Sequence, residues 1–279
     1  MASINPVTHE RIKAYLEVFI EGLVGHYKTL SLPELCAAQE YVAKTSPTGD
    51  LKPFHVAIIP ESLLRINAFE RGFSTRLGST FEECGRLIAL DHHQDARRGY
   101  VTKNYVSRAA IEEIDRQVSR FEHVAQANGP KPSLDEMVDA VLSSVRADDL
   151  VELEATADLY VLARDGTEYF FEIKSPKPNK GQALEITQRI LRFHLLRGKR
   201  RPEVQAYFAM GYNPYGSAHE TYRWPYARNY MPFEQAVIIA DEFWSVLGGP
   251  GAYHELISIY QEVGREKSKY MIDALAFGF

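Results

Sequence analysis

The chain has 279 residues, 45% hydrophobic and 25% charged, which are the proportions of a globular protein able to bury a sizeable core, with no room for long disorder. No stretch of eighteen apolar residues and no basic segment running into an apolar one occurs, so a membrane-spanning helix and a secretory leader are not expected, and the chain reads as soluble and cytoplasmic with no membrane partner. Cys36 and Cys84 lie far apart without CxxC spacing, which suggests neither a zinc site nor a disulfide framework and reads as two reduced thiols.

Net charge is −5, with a pI near 6.0, but its distribution is uneven. From Asp139 to Glu172 there are nine acids and two arginines. From Lys174 to Arg201 there are nine bases and one acid, Glu185. Carboxylates placed to hold a cation, followed by a basic stretch, suit an anionic ligand approached through a metal. Two solvated faces of opposite sign would give the same pattern.

Taken in chain order, residues 8–29 repeat apolar positions at Ile12, Leu16, Phe19 and Leu23 and predict a helix with Thr8 as N-cap. Pro33, Pro47, Gly49 and Pro53 break up the next stretch. Two helices follow over 61–73 and 79–90, the second capped by Ser79 or Thr80 with Glu82 and Glu83 in its first turn. Helices over 107–124 and 134–145 are separated by "NGPKPS", so the first part, 1–146, is mainly helical. The period then falls to two. Residues 157–163 and 167–174 alternate around Asp165-Gly166, the signature of a β-hairpin. A helix over 181–196, a buried strand over 203–212 and a long aromatic loop, "YNPYGSAHETYRWPYARNYMP", come next. "EQAVIIA" (234–240) reads as a strand or a helix start, and 252–276 as an amphipathic helix. Without repeats or linkers, 1–279 reads as one elaborated α/β domain whose core is 151–212, with 213–279 completing it.

The hairpin carries the chemistry. Glu172 and Lys174, two apart on a strand, point the same way, while Phe171 and Ile173 point into the core. Acid-x-Lys alone is weak evidence, since chance supplies about one or two matches in such a chain. A second match, Asp50-Leu51-Lys52, falls in a Pro/Gly loop. Asp158 meets Glu172 only if the hairpin loop has three residues, Arg164-Asp165-Gly166, with Gly166 left-handed; a two-residue loop turns it away. Given the longer loop, the Asp158 and Glu172 carboxylates and the Ile173 carbonyl form a hard oxygen set suited to Mg²⁺, with Lys174 placed to orient water and offset charge on phosphorus. An exposed hairpin with a cross-strand charge pattern is the bland alternative.

"TADLYVLARDGTEYFFEIK" resembles the core of the PD-(D/E)xK nuclease superfamily, with Thr-Ala-Asp where Pro-Asp is common. More narrowly, "FFEIKSPKPNKGQ", "YNPYG" and "DEFWSVLGGPGAYHELISIYQEVG" resemble the TdeIII-type family of type II restriction endonucleases, from about residue 60 onward. The resemblance implies a restriction-endonuclease-like core: a mixed β-sheet with a catalytic hairpin flanked by helices. It also implies Mg²⁺-dependent cutting of duplex DNA at a short palindrome, GG/CC with a degenerate centre, with Asp158, Glu172 and Lys174 catalytic. "RLGSTFEE" resembles the helix that supplies a further acid in this superfamily, which makes Glu82 a ligand for a second metal or its water, with Glu83 the runner-up; a first-turn acid complementing the helix dipole is the other reading. A homodimer matches the symmetry of a palindrome, and a cognate methyltransferase acting on the same site is implied without a stable complex.

Two segments offer DNA contacts. In "SPKPNKGQ" the residues Lys177, Asn179, Lys180 and Gln182, entering a helix, suit a phosphate grip, or simply cap that helix. In the aromatic segment Asn213, Tyr215, Arg223 and Arg228 suit groove contact, or belong to a tyrosine-rich cover over the core. His92-His93 lacks a third ligand and reads as a polar helix end. Rival classes are a repair or structure-specific nuclease, a DNA-binding protein that does not cut, and a structural interaction protein.

Overall fold

A computed structural model describes residues 3–37 and 53–278. The Asp50-Leu51-Lys52 match and the Cys36 side chain lie outside the described part. The chain divides into two compact units, one of Met1–Asn5 with Phe81–Glu255 and the other of Pro6–Thr80 with Leu256–Phe279. No described helix is long and apolar enough to cross a membrane.

The second unit is helical: α1 (Pro6–Lys28), α2 (Leu32–Ala37), α3 (Pro53–Ile58), the first turns of α4 (Glu61–His92) and most of α11 (Ala252–Ile272). Helix α1 buries Ile12, Leu16 and Leu23 as its spacing predicts, with Ile20 buried in place of the expected Phe19, which is only half-buried. Thr8 is not its cap but a buried residue inside it, because the helix begins at Pro6, where a missing N–H costs nothing. Lys13 reaches Glu262 and Glu266 of α11 at 2.5 and 2.8 Å.

Two corrections concern α4 and its successor. Residues 61–73 and 79–90 do not form separate helices; α4 runs through both. Ser79 and Thr80 bond back to the carbonyls of Arg76 and Leu77, each at 2.7 Å, instead of capping a new helix. The N-terminal half is also not wholly helical, since β1 (Asp95–Ser107) follows α4. It escapes a sequence reading because it is an edge strand rich in charge, burying few of its residues, with Gly99 at φ +55° breaking the alternation.

The first unit holds a five-stranded mixed sheet in the order β1-β2-β3-β4-β5. Strands β1, β2 (Leu150–Leu162) and β3 (Glu168–Ile173) run antiparallel in turn, and β4 (Val204–Met210) and β5 (Val237–Ile239) lie parallel to β3. Helix α5 (Arg108–Gln126) is capped by Ser107, and α6 (Leu134–Ser143) by a Ser133–Glu136 capping box. Helix α7 (Lys180–Arg197) crosses from β3 to β4, opened by an Asn179–Gln182 capping box and closed by Gly198 at φ +62°. On one sheet face Phe170 stacks on Phe193 of α7 at 4.5 Å. On the other, Phe171 meets Phe243 of α10 (Asp241–Gly248) at 5.5 Å. There Gly85 of α4 comes so near that a Cβ would sit 3.0 Å from Leu247 and 3.1 Å from Leu159.

The aromatic stretch is only partly loop: His219–Thr221 is a 3-10 turn and Pro225–Tyr230 is α8, opened by its proline. "EQAVIIA" supplies both alternatives, the end of α9 (Phe233–Ala236) and then β5.

Candidate active site

The hairpin loop has three residues. Ala163 N–H donates to Thr167 O at 2.9 Å and Gly166 N–H to Ala163 O at 3.0 Å, with Gly166 at φ +91°. Leu159 pairs with Phe171, so one further step of the same register sets Asp158 against Glu172. The ladder changes there: the Ile173 N–H donates to the Asp158 side chain, Oδ2, at 2.8 Å.

Lys174, just past the end of β3, joins the two acids. Its ammonium lies 3.0 Å from Asp158 Oδ2 and 2.9 Å from Glu172 Oε1. Glu172 is 2% exposed, which overturns the picture of a half-solvated hairpin: β3 is a central strand, and Phe170 and Phe171, on opposite faces, are both fully buried. A buried carboxylate needs compensation. Arg189 of α7 provides it, its Nη1 donating to both Glu172 oxygens at 2.7 Å while Nη2 reaches Glu185 at 3.0 Å. Burial pulls the Lys174 ammonium down, but hydrogen bonds and charge from Glu172 and Asp158 outweigh it and hold its pKa above the usual lysine range. The two acids thus favour the charged form of Lys174. Arg189 was missed in the sequence, although Gln182, Glu185 and Arg189 share one face of α7 by helical spacing.

The cluster borders a cleft of about 220 Å³ lined by Lys174, Ser175, Gln182, Glu185 and Arg189 beside Glu172. Asp158 Oδ1 stands outside both bonds made by Oδ2, while both Glu172 oxygens accept from Arg189; two such carboxylates could hold a divalent cation that shares its other positions with water and phosphate. Among the described residues no group of three or more His, Cys, Asp or Glu is placed to hold a metal ion, so Glu82 is not gathered with Asp158 and Glu172.

Glu82 is not joined to this cluster. It receives Arg98 at 2.9 Å, and Glu83 receives Arg86 at 2.5 Å. Both lie within α4, so neither is a first-turn acid. Arg98 is paired in the sheet with Leu159, next to Asp158. His92 and His93 end α4 bonded to the carbonyls of Ser3 and Val246 at 2.7 and 2.8 Å, as a polar helix end should be.

Of the residues expected to touch DNA, Asn179 and Gln182 are engaged in capping α7. Lys180 pairs with Glu122 at 2.5 Å and lies over Tyr230. Lys177 is exposed, its ammonium 5.6 Å from the ring centres of both Tyr215 and Trp224. Asn213 bonds within its own segment to Ala218 and Thr221. Arg228 donates to Tyr222 O at 3.0 Å, and Arg223 is exposed.

The model of the HinfI family, described as a type II restriction endonuclease, matches residues 9–264. Three type II restriction enzymes of Herpetosiphon aurantiacus are similar over nearly the whole chain. HgiEI is 45% identical over 266 residues, 95% of this chain and 96% of its own, and HgiBI 44% over the same shares. HgiCII is 45% identical over 267 residues, 95% of this chain and 97% of its own. No solved structure matches.

Proposed function

The chain belongs to the HinfI family of type II restriction endonucleases, and from that premise we propose that it hydrolyses phosphodiester bonds of duplex DNA at a short palindrome, with Mg²⁺ held by Asp158, Glu172 and the Ile173 carbonyl. The observation that carries this is the single ammonium of Lys174 bridging two facing carboxylates at 3.0 and 2.9 Å beside a cleft. Bound Mg²⁺ supplies Lewis acidity toward the phosphate and a more acidic water. Asp158 and Glu172 would hold the ion, with Arg189 fixing the Glu172 carboxylate. Lys174 orients the attacking water and stabilises the negative charge that grows on the pentacoordinate phosphorus.

Glu82, tied by Arg98 to the strand beside Asp158, is kept as the acid for a second metal or its water. Lys177, Asn179, Lys180 and Gln182 would line the phosphate path, and Asn213, Tyr215, Arg223 and Arg228 the groove. The proposed target is a GG/CC palindrome with a degenerate centre, read in the cytoplasm by a homodimer in which 1–279 acts as one nuclease domain, and protected by a methyltransferase. Incubation with unmethylated plasmid should give discrete bands with Mg²⁺ and none with EDTA, and end-sequencing should return one palindrome. Absence of cutting with every divalent metal tried would overturn the reading.

A further inference from the structure

Between β3 and α7 the chain reads Lys174-Ser175-Pro176-Lys177-Pro178-Asn179. Each proline lacks an N–H and pushes the residue before it into extended backbone, so this segment cannot extend a β-ladder at those positions. Its side chains alternate instead. Pro176 and Pro178 are buried, while Lys174, Ser175, Lys177 and Asn179 are exposed.

The carbonyls of the two prolines go to one place. Tyr222 Oη donates to Pro176 O at 2.6 Å, and Trp224 Nε1 donates to Pro178 O at 2.7 Å. Both donors belong to the segment that carries Arg223 and Arg228. Tyr222 is fully buried, stacked on Phe233 at 5.4 Å, with Tyr215 edge-on at 5.7 Å. Its backbone carbonyl accepts from Arg228 at 3.0 Å. Lys177, between the prolines, stands over Trp224 and Tyr215. Trp224 thus touches the segment through both a hydrogen bond and a ring face.

We infer that Tyr222 and Trp224 are positioning residues that clamp the 174–179 segment and link the seating of the Arg223–Arg228 segment on DNA to the placement of Lys174. This rests on the nuclease reading for its activity arm only. A lost donor leaves a proline carbonyl unpaired beside buried rings, and the segment can then shift by fractions of an ångström, the scale on which reaction rates depend steeply.

The test uses Tyr222→Phe and Trp224→Phe, which remove the donor and keep a ring, in the full chain. Amide exchange of the peptide spanning 174–180, followed by mass spectrometry, should accelerate in each variant while the sheet peptides stay as in the parent and Tm falls by only about 2–10 °C, the cost of one unpaired carbonyl. With Mg²⁺ and plasmid, kcat should fall by about ten- to a hundredfold, with DNA affinity in Ca²⁺ unchanged. Unaltered exchange at 174–180, or unaltered kcat in an enzyme that cuts, overturns the clamp. So does a parallel loss of binding, Tm and kcat, which marks a merely structural role. If the parent protein does not cut DNA at all, the nuclease reading fails, and the exchange measurement still decides whether the two donors hold the segment.

Discussion

Lys174 meets Asp158, Glu172 and the cleft together, and its alkyl stem is the means by which one charge serves both acids. Its pKa is held above the usual lysine range by the two acids, which supports the electrostatic role proposed for it. Lys174→Ala should abolish cutting while DNA binding in Ca²⁺ persists, measured by gel shift; loss of binding instead would assign the lysine to scaffolding. Asp158, Glu172 and Lys174 were legible in the sequence because strand alternation and one turn relate them. Arg189 was not, because its bond to Glu172 depends on how α7 crosses the sheet.

Helix α7 is the element on which the site leans. It carries Arg189 and buries Ile186, Ile190, Phe193 and His194. His194 is fully buried, its Nδ1 3.0 Å from Lys199 O and its Nε2 without a partner among the described residues. Burial lowers its pKa to about 4, only partly opposed by the Lys199 carbonyl. The folded protein therefore resists a proton that the unfolded chain accepts near pH 6.5. The stabilisation is complete above that pH and is lost as pH falls toward 4, amounting to about 3 kcal/mol across the window. Urea melts at stepped pH should show that slope, and His194→Phe should remove it; an unchanged slope would place the titration elsewhere. The existence and type of α5, α6 and α7 were readable from period and caps. The break expected at Gly78-Ser79-Thr80 was not real, because turn-forming residues lose to a helix whose hydroxyls can bond back to its own carbonyls.

At the scale of the molecule, the basic stretch from Lys174 to Arg201 proves less available than its sequence implies. Lys180 pairs with Glu122, Arg197 with Glu168, Arg200 with Asp139, and Lys174 and Arg189 with Glu172. Much of the acidic and basic segregation along the chain is thus spent within the fold. DNA affinity should fall with salt, but with a slope of log K against log salt well below the value of about 8 that nine phosphate contacts would give. A slope that reaches it would mean that these pairs open on DNA.

The sequence by itself determined the hairpin and the likeness to type II restriction endonucleases, since these rest on neighbours along the chain or across one turn, whereas the choice between a two- and a three-residue loop was decided only by the structure, with Gly166 at φ +91°. Only the tertiary structure decided that Glu172 is buried, that Arg189 neutralises it, that β1 edges the sheet, and that Tyr222 and Trp224 hold the proline carbonyls. Each of those depends on which surfaces meet after residues distant in sequence are packed together. A pattern of side-chain types along one segment does not encode the partner that will face it.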